Sequence, residues 1–297
     1  PFPTRFHSGR TGQLMTSSDA VLISPAELAE LLDSAQPPVV ADVRWTVNGP
    51  PGKSDFEASH IPGAVWVDLE TQLAGPPGGG GRHPLPSVAV FKQAMRDIGV
   101  CQDLLVVAYD AATSQAAARL WWLLTDAGHR QVRVLNGGLA AWKAAGLPTI
   151  SGPGIRPPRG DFIAHPGQRQ QLNAAEIAAL LGKPEARVLV DVRAAERYSG
   201  QHEPIDPVAG HIPGAINLPA TANLHTDGRF LSPAEIARSY AEAGGREDAV
   251  LYCGSGVTAA HSLLALESAG LTAAIYPGSW SDWISDPSRP VATGTDP

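Results

Sequence analysis

The chain has two cysteines in 297 residues, and Cys253 ends the apolar run of "AVLYCGSGVTAAHSLLALESAG", residues 249–270. Gly254, Ser255 and Gly256 follow it, and Val257 and Thr258 open an apolar helical pattern. A buried structural thiol, a phosphate loop and a nucleophile in an anion cradle all fit such a stretch. A thiol reacts as the thiolate, and its unperturbed pKa is about 8.5. Glycines let consecutive backbone N–H groups point inward as a nest, and a following helix adds roughly half a positive charge at its N-terminus. Ser255 and Thr258 add hydroxyl donors. A phosphatase loop would close with an arginine six residues after the cysteine, because phosphate is gripped by bidentate guanidinium contacts. Ala259 stands there, which argues against that chemistry. Cys101, in "GVCQDLL", has no activating neighbour and reads as structural.

The elements that must position this loop occur twice. "VVADVR" (residues 39–44) returns as "VLVDVR" (188–193), "SHIPGAVWVD" (59–68) as "GHIPGAINLP" (210–219), and "LNGGLAAW" (135–142) as "YPGSWSDW" (276–283). The order is kept, so the chain is a duplicated unit of about 130–140 residues. The expected domains are residues 15–150 and 171–297, joined by a linker over 151–170 that begins with the Pro/Gly-rich "SGPGIRPPRGDF". Residues 1–14 precede Met15 and read as a leader outside the fold. "GPPGGGGRHPLP", residues 75–86, reads as a long surface loop.

Within each copy, continuous apolar runs such as "LLVVAYD" and "AVLYC" suit strands buried on both faces of a parallel sheet. "SPAELAELL" and "NAAEIAALL" each start with a capping residue and a Glu three positions later, a helix-start signature. The class is therefore α/β, with reactive groups where strand ends meet helices. In the first copy Asp110 stands where Cys253 does, and "AATSQAAA" after it has no glycine. That copy is expected to have lost both the nucleophile and the nest.

"DVR" and "HIPGA" in both halves, "CGSGVTA" once and the "GSWSDW" ending make the chain resemble the tandem rhodanese sulfurtransferases over about residues 20–290. The resemblance implies two rhodanese-like domains, each a mostly parallel central sheet flanked by helices, with catalysis in the second. It implies a persulfide on Cys253, with no metal and no organic cofactor. The substrate-binding residues it implies are Gly254, Ser255, Gly256, Val257, Thr258 and Arg197. The small neutral loop is similar to that of members that prefer 3-mercaptopyruvate; thiosulfate-preferring members carry basic residues there. Arg197 would clamp the donor carboxylate, unless it is an ordinary ion pair with Glu196 or Glu203. The second arginine of that clamp is replaced near Ile205, which leaves thiosulfate open as donor and a first-half basic group open as substitute. A non-enzymatic interaction module of the same fold is the remaining alternative. Ser255 with His60 and Asp55 is a hydroxyl relay that the resemblance allows, set against the structural reading of His60. The duplicated residues Asp42, Asp191, His60 and His211, and also Trp280 and Trp283, read as structural.

Net charge is −7 and mean hydropathy −0.06, with 17% charged residues and no basic stripe. Nucleic acid and membrane are excluded as expected partners. A small-molecule sulfur donor and a thiol acceptor such as thioredoxin are expected. Two cysteines make no disulfide framework in a chain this long, which points to a reducing cytoplasm.

Overall fold

Apolar runs rich in valine form the strands, as the buried-strand reading requires. The computed structural model describes residues 20–50, 52–183 and 187–297; the expected leader and Met15 lie outside them. In the first half the strands are β1 (Leu22–Ile23), β2 (Val39–Asp42), β3 (Ala64–Trp66), β4 (Val106–Tyr109) and β5 (Val132–Leu135). They form a wholly parallel sheet in the order β1-β5-β4-β2-β3. In the second half β6 (Leu189–Asp191), β7 (Ile216–Asn217), β8 (Val250–Tyr252) and β9 (Ala274–Ile275) pair in parallel as β7-β6-β8-β9. Strands β2, β3, β4 and β5 of the first half match β6, β7, β8 and β9 of the second in order. The counterpart of β1 is reduced to a single parallel bridge between Gln171 and Ile275.

Helices cover both sheets. The first half carries α1 (Pro25–Leu32), α2 (Lys53–Ala58), α3 (Leu69–Gln72), α4 (Val88–Asp97), α5 (Gln115–Asp126) and α6 (Gly138–Ala144). The second carries α7 (Ala174–Ala178), α8 (Ala195–Tyr198), α9 (Pro233–Glu242), α10 (Val257–Ser268) and α11 (Ser279–Trp283). Both capping boxes form: Ser24 and Glu27 bond reciprocally at α1, and Asn173 and Glu176 at α7. No helix among the described residues is long and apolar enough to cross a membrane.

The repeated Asp-x-Arg motifs have one geometry. Arg44 Nη2 lies 2.7 Å from Asp42 Oδ2 and also donates to the Ser59 carbonyl, while Arg193 Nη2 lies 2.6 Å from Asp191 Oδ2 and donates to the Gly210 carbonyl. Each pair ties a strand end to the turn that follows. His60 and His211 repeat likewise: each is fully buried, donates from Nδ1 to a carbonyl (Phe56 or Tyr198) and stacks on that residue's ring. Shared by both copies, these groups serve the fold.

Two features join the halves closely. α5 and α10 leave the ends of β4 and β8 and pack lengthwise against each other, merging Leu120, Trp121 and Leu124 with Leu263 and Leu264 in one apolar core. The segment after residue 150 is also docked. Gly160 and Phe162 donate backbone N–H groups to the Arg96 and Val100 carbonyls, and the Phe162 ring is buried in the core. Burying that ring is worth roughly 1.5–3 kcal/mol, so this connection is held against the first half along its length.

Candidate active site

β8 delivers Cys253 to the carboxyl edge of the second sheet, and α10 begins four residues later. Gly256 takes a left-handed conformation, φ 79°, and a Cβ there would stand 2.2 Å from the Pro277 carbonyl oxygen. That turn aims the Gly256 N–H at Cys253 Sγ, 3.1 Å away. Cys253 donates its own N–H to Ser279 Oγ at 3.1 Å; the Ser279 hydroxyl donates to the Tyr276 carbonyl at 2.9 Å and lies 3.9 Å from the sulfur. The start of α11 fastens the loop from behind, with Trp280 and Ser281 donating N–H groups to the Cys253 and Gly254 carbonyls. Trp280 and Trp283 are fully buried, and their indole N–H groups bond the Val208 and Pro290 carbonyls. They pack the second half beneath the loop. Cys253 is itself 2% exposed.

The first-half loop corrects one expectation. Without a single glycine it still forms an anion nest, because Ser114 adopts the left-handed conformation (φ 60°) that Gly256 has in the other copy. The nest is filled by the chain itself. The Asp110 carboxylate accepts N–H groups from Ala112, Ser114, Ala116 and Ala117 at 3.2, 2.9, 3.0 and 3.4 Å. Burial pushes that carboxyl up, and the backbone N–H groups pull against it. Both strand-to-helix junctions are thus built for an anion. One fills the place with the Asp110 carboxyl, the other offers it to a thiol.

The relay expected from Ser255, His60 and Asp55 is not the one assembled. His60 is buried in its structural contact, and Asp55 is exposed on α2. Ser255 instead meets His83 from the glycine-rich loop: His83 Nδ1 lies 2.7 Å from Ser255 Oγ, and Nε2 lies 3.2 Å from Glu70 Oε1. The Trp45 indole N–H donates to the same Glu70 oxygen at 2.6 Å. With Glu70 accepting from Nε2, Nδ1 is left to accept the Ser255 proton. Burial pulls the His83 imidazole down, Glu70 pulls it up, and the net shift is downward, which favours the neutral ring. The stretch read as a surface loop therefore ends inside the site, with His83 4% exposed. The signal available was the Arg-His pair in an otherwise uncharged glycine-rich run.

Arg197 does pair with Glu203, through Nε at 3.0 Å, and it also meets Asp206 through Nη2 at 2.8 Å; Glu196 is not a partner. Burial pushes the Glu203 carboxyl up, but Arg197 and two backbone N–H groups hold it below the usual range. Arg82 reaches Asp206 from the other half, so one carboxylate joins the two guanidinium groups. Both stand over the cysteine loop. A Cβ on Gly254 would lie 2.9 Å from Arg82 Nη2 and 3.5 and 3.6 Å from Arg197 Nη2 and Nη1. Ile205 has no charge to offer, and its N–H bonds Glu203. Val257 is buried in the shared core, and the Thr258 hydroxyl faces Gln115 of α5 at 3.3 Å. Neither side chain faces the space over Gly254 that the arginines occupy.

The arrangement can hold a thiolate at a helix N-terminus, move a proton through Ser255 and His83, and bind a small anion beneath two guanidinium groups. A family model described as "Rhodanese-like domain" matches residues 24–145 and 173–286. A Pseudomonas aeruginosa protein provisionally named a 3-mercaptopyruvate sulfurtransferase is 46% identical over 93% of this chain and 99% of its own. A Mycobacterium tuberculosis protein provisionally named a thiosulfate sulfurtransferase is 42% identical over 95% of this chain and 100% of its own. The solved structure of the 3-mercaptopyruvate sulfurtransferase from Leishmania major superposes with a TM-score of 0.80 at 31% identity, over 90% of this chain and 75% of that one.

Proposed function

The chain belongs to the rhodanese family of sulfurtransferases, and we propose that it takes sulfur from 3-mercaptopyruvate onto Cys253 and passes it to a thiol. The Cys253 thiolate attacks the donor sulfur. The donor's C–S bond breaks, its electron pair leaves as the pyruvate enolate, and Cys253 holds a persulfide. The outer sulfur's proton passes through Ser255 to neutral His83 and returns by the same path to the enolate, which becomes pyruvate and leaves the persulfide anion on Cys253. An acceptor thiolate then attacks the outer sulfur and restores Cys253. This is covalent catalysis in two half-reactions, so ping-pong kinetics follow.

The observation that carries the donor is the pair Arg82 and Arg197 over Gly254. A carboxylate held there between two guanidinium groups leaves the rest of a three-carbon donor to reach Cys253. Arg82, from the first half, supplies the second positive charge that Ile205 does not. Each charge-assisted contact is worth about 1.5–3 kcal/mol. We therefore expect Arg82→Ala to raise KM for 3-mercaptopyruvate about 10–100-fold with a smaller change in kcat. Steady-state pyruvate release measures it, and an unchanged KM would remove Arg82 from the clamp.

Thiosulfate is the second reading, favoured by the mycobacterial relative's name and by the fact that two guanidinium groups also suit a dianion. The ratio of kcat/KM for the two donors decides. A thioredoxin-like dithiol fits the acceptor role, and a reducing compartment such as the cytoplasm fits a cysteine that must return to the thiolate. Residues 15–150 and 171–297 serve as the two domains in this reading, with 151–170 between them.

A further inference from the structure

We infer that Arg119, a guanidinium of the cysteine-free half, is the buried counter-charge of the Cys253 thiolate and persulfide. Arg119 lies on α5 and is 1% exposed. Its contacts are carbonyls: Nε donates to Leu73 at 3.3 Å, and Nη2 to His83 at 3.1 Å and Pro84 at 3.5 Å. Among the described residues it has no carboxylate partner. Its Nη1 points the other way, 3.2 Å from where a Cβ on Gly256 would lie, and Gly256 is the residue whose N–H touches Cys253 Sγ.

A buried charge with no counter-charge is destabilising, and carbonyl contacts offset that only in part. The other charges around the loop are matched among themselves. Arg82 and Arg197 have Asp206 and Glu203, Arg193 has Asp191, and Arg289 has Asp282, while burial holds His83 toward its neutral form. Tyr252 and Tyr276 stay neutral, pushed up chiefly by burial. Burial pulls Arg119 down to about 10, and Cys253 is the group whose charge acts against that. The first half needs no such arrangement of its own, because Asp110 fills its nest. Arg119 acts on the reacting sulfur across the interface as a positioning charge, and through the His83 carbonyl it also fixes the loop that carries the relay.

This inference rests on Cys253 being the nucleophile, and its test does not depend on the donor or on turnover. The ultraviolet absorbance of the thiolate is titrated in the wild type, R119Q and R119K, each minus the same protein carrying Cys253→Ser. Arg119→Gln keeps an N–H donor and removes the charge, and Arg119→Lys keeps the charge. The expected midpoint is about one pH unit higher in R119Q and within a few tenths of the wild type in R119K. An unshifted R119Q, or an R119K shifted as far as R119Q, overturns the inference. Should R119Q not fold, thermal unfolding of C253S decides. Its loss of Tm relative to the wild type must be larger at about pH 9, where the thiolate is removed, than at about pH 6, and an equal loss at both overturns the inference. Persulfide formation that persists while these results fail would leave the sulfurtransferase reading standing.

Discussion

Replacing Cys253 by serine lowers kcat/KM by about 10⁴-fold or more with either donor, leaving background transfer only. A serine hydroxyl is not ionised near neutrality and forms no persulfide, so neither half-reaction has a carrier. The fold tolerates the change, because the same junction in the first half is built around Asp110 with no cysteine at all. Pyruvate release and cyanide-dependent thiocyanate formation measure the loss, and circular dichroism of C253S should match the wild type. A variant retaining even a tenth of wild-type transfer would remove Cys253 from the centre of the mechanism.

Substitution of His83 has the next largest effect. Removing a positioned acid–base group costs about 10²–10⁴-fold, and here His83→Gln should lower kcat within that range while KM changes little. The pH profile makes the prediction specific. His83 must be neutral to accept the Ser255 proton, and burial holds its folded value below the ordinary 6.5. The wild type should therefore lose kcat as pH falls, along an acid limb centred below pH 6.5 that disappears in H83Q. Glu70 is the group pulling His83 up, so Glu70→Gln should move that limb to still lower pH. A limb unaltered in both variants would assign the titration to another group.

Much of the fold could be read from repetition. "VVADVR" and "VLVDVR" contain Asp42 and Asp191, the last residues of β2 and β6, and "HIPGA" marks the same turn twice. The nucleophile was legible for the opposite reason, as the point where the copies differ. The rest of the site was not, because it is made by tertiary contact across the interface. His83 and Arg82 lie more than 120 residues from their partners Ser255 and Asp206, and the Arg-His pair of "GGGGRHPLP" does not by itself separate a buried loop end from a solvated one. The relay that the resemblance allows at His60 is not formed, and the repetition of that histidine at His211 already marks it as structural. The absence of glycine in "AATSQAAA" misled similarly: Ser114 bears the left-handed strain in place of glycine, at a cost of about 1–3 kcal/mol, and the four N–H contacts to Asp110 offset it.

Sulfur on Cys253 is the most direct measure of the central claim. The purified, reduced protein is exposed to 3-mercaptopyruvate alone or thiosulfate alone, without acceptor, and digested for mass spectrometry. The account predicts a gain of one sulfur on the Cys253 peptide with 3-mercaptopyruvate, none on the Cys101 peptide, and loss of that sulfur when a thiol is added. A Cys253 peptide unchanged in mass after either donor would contradict it.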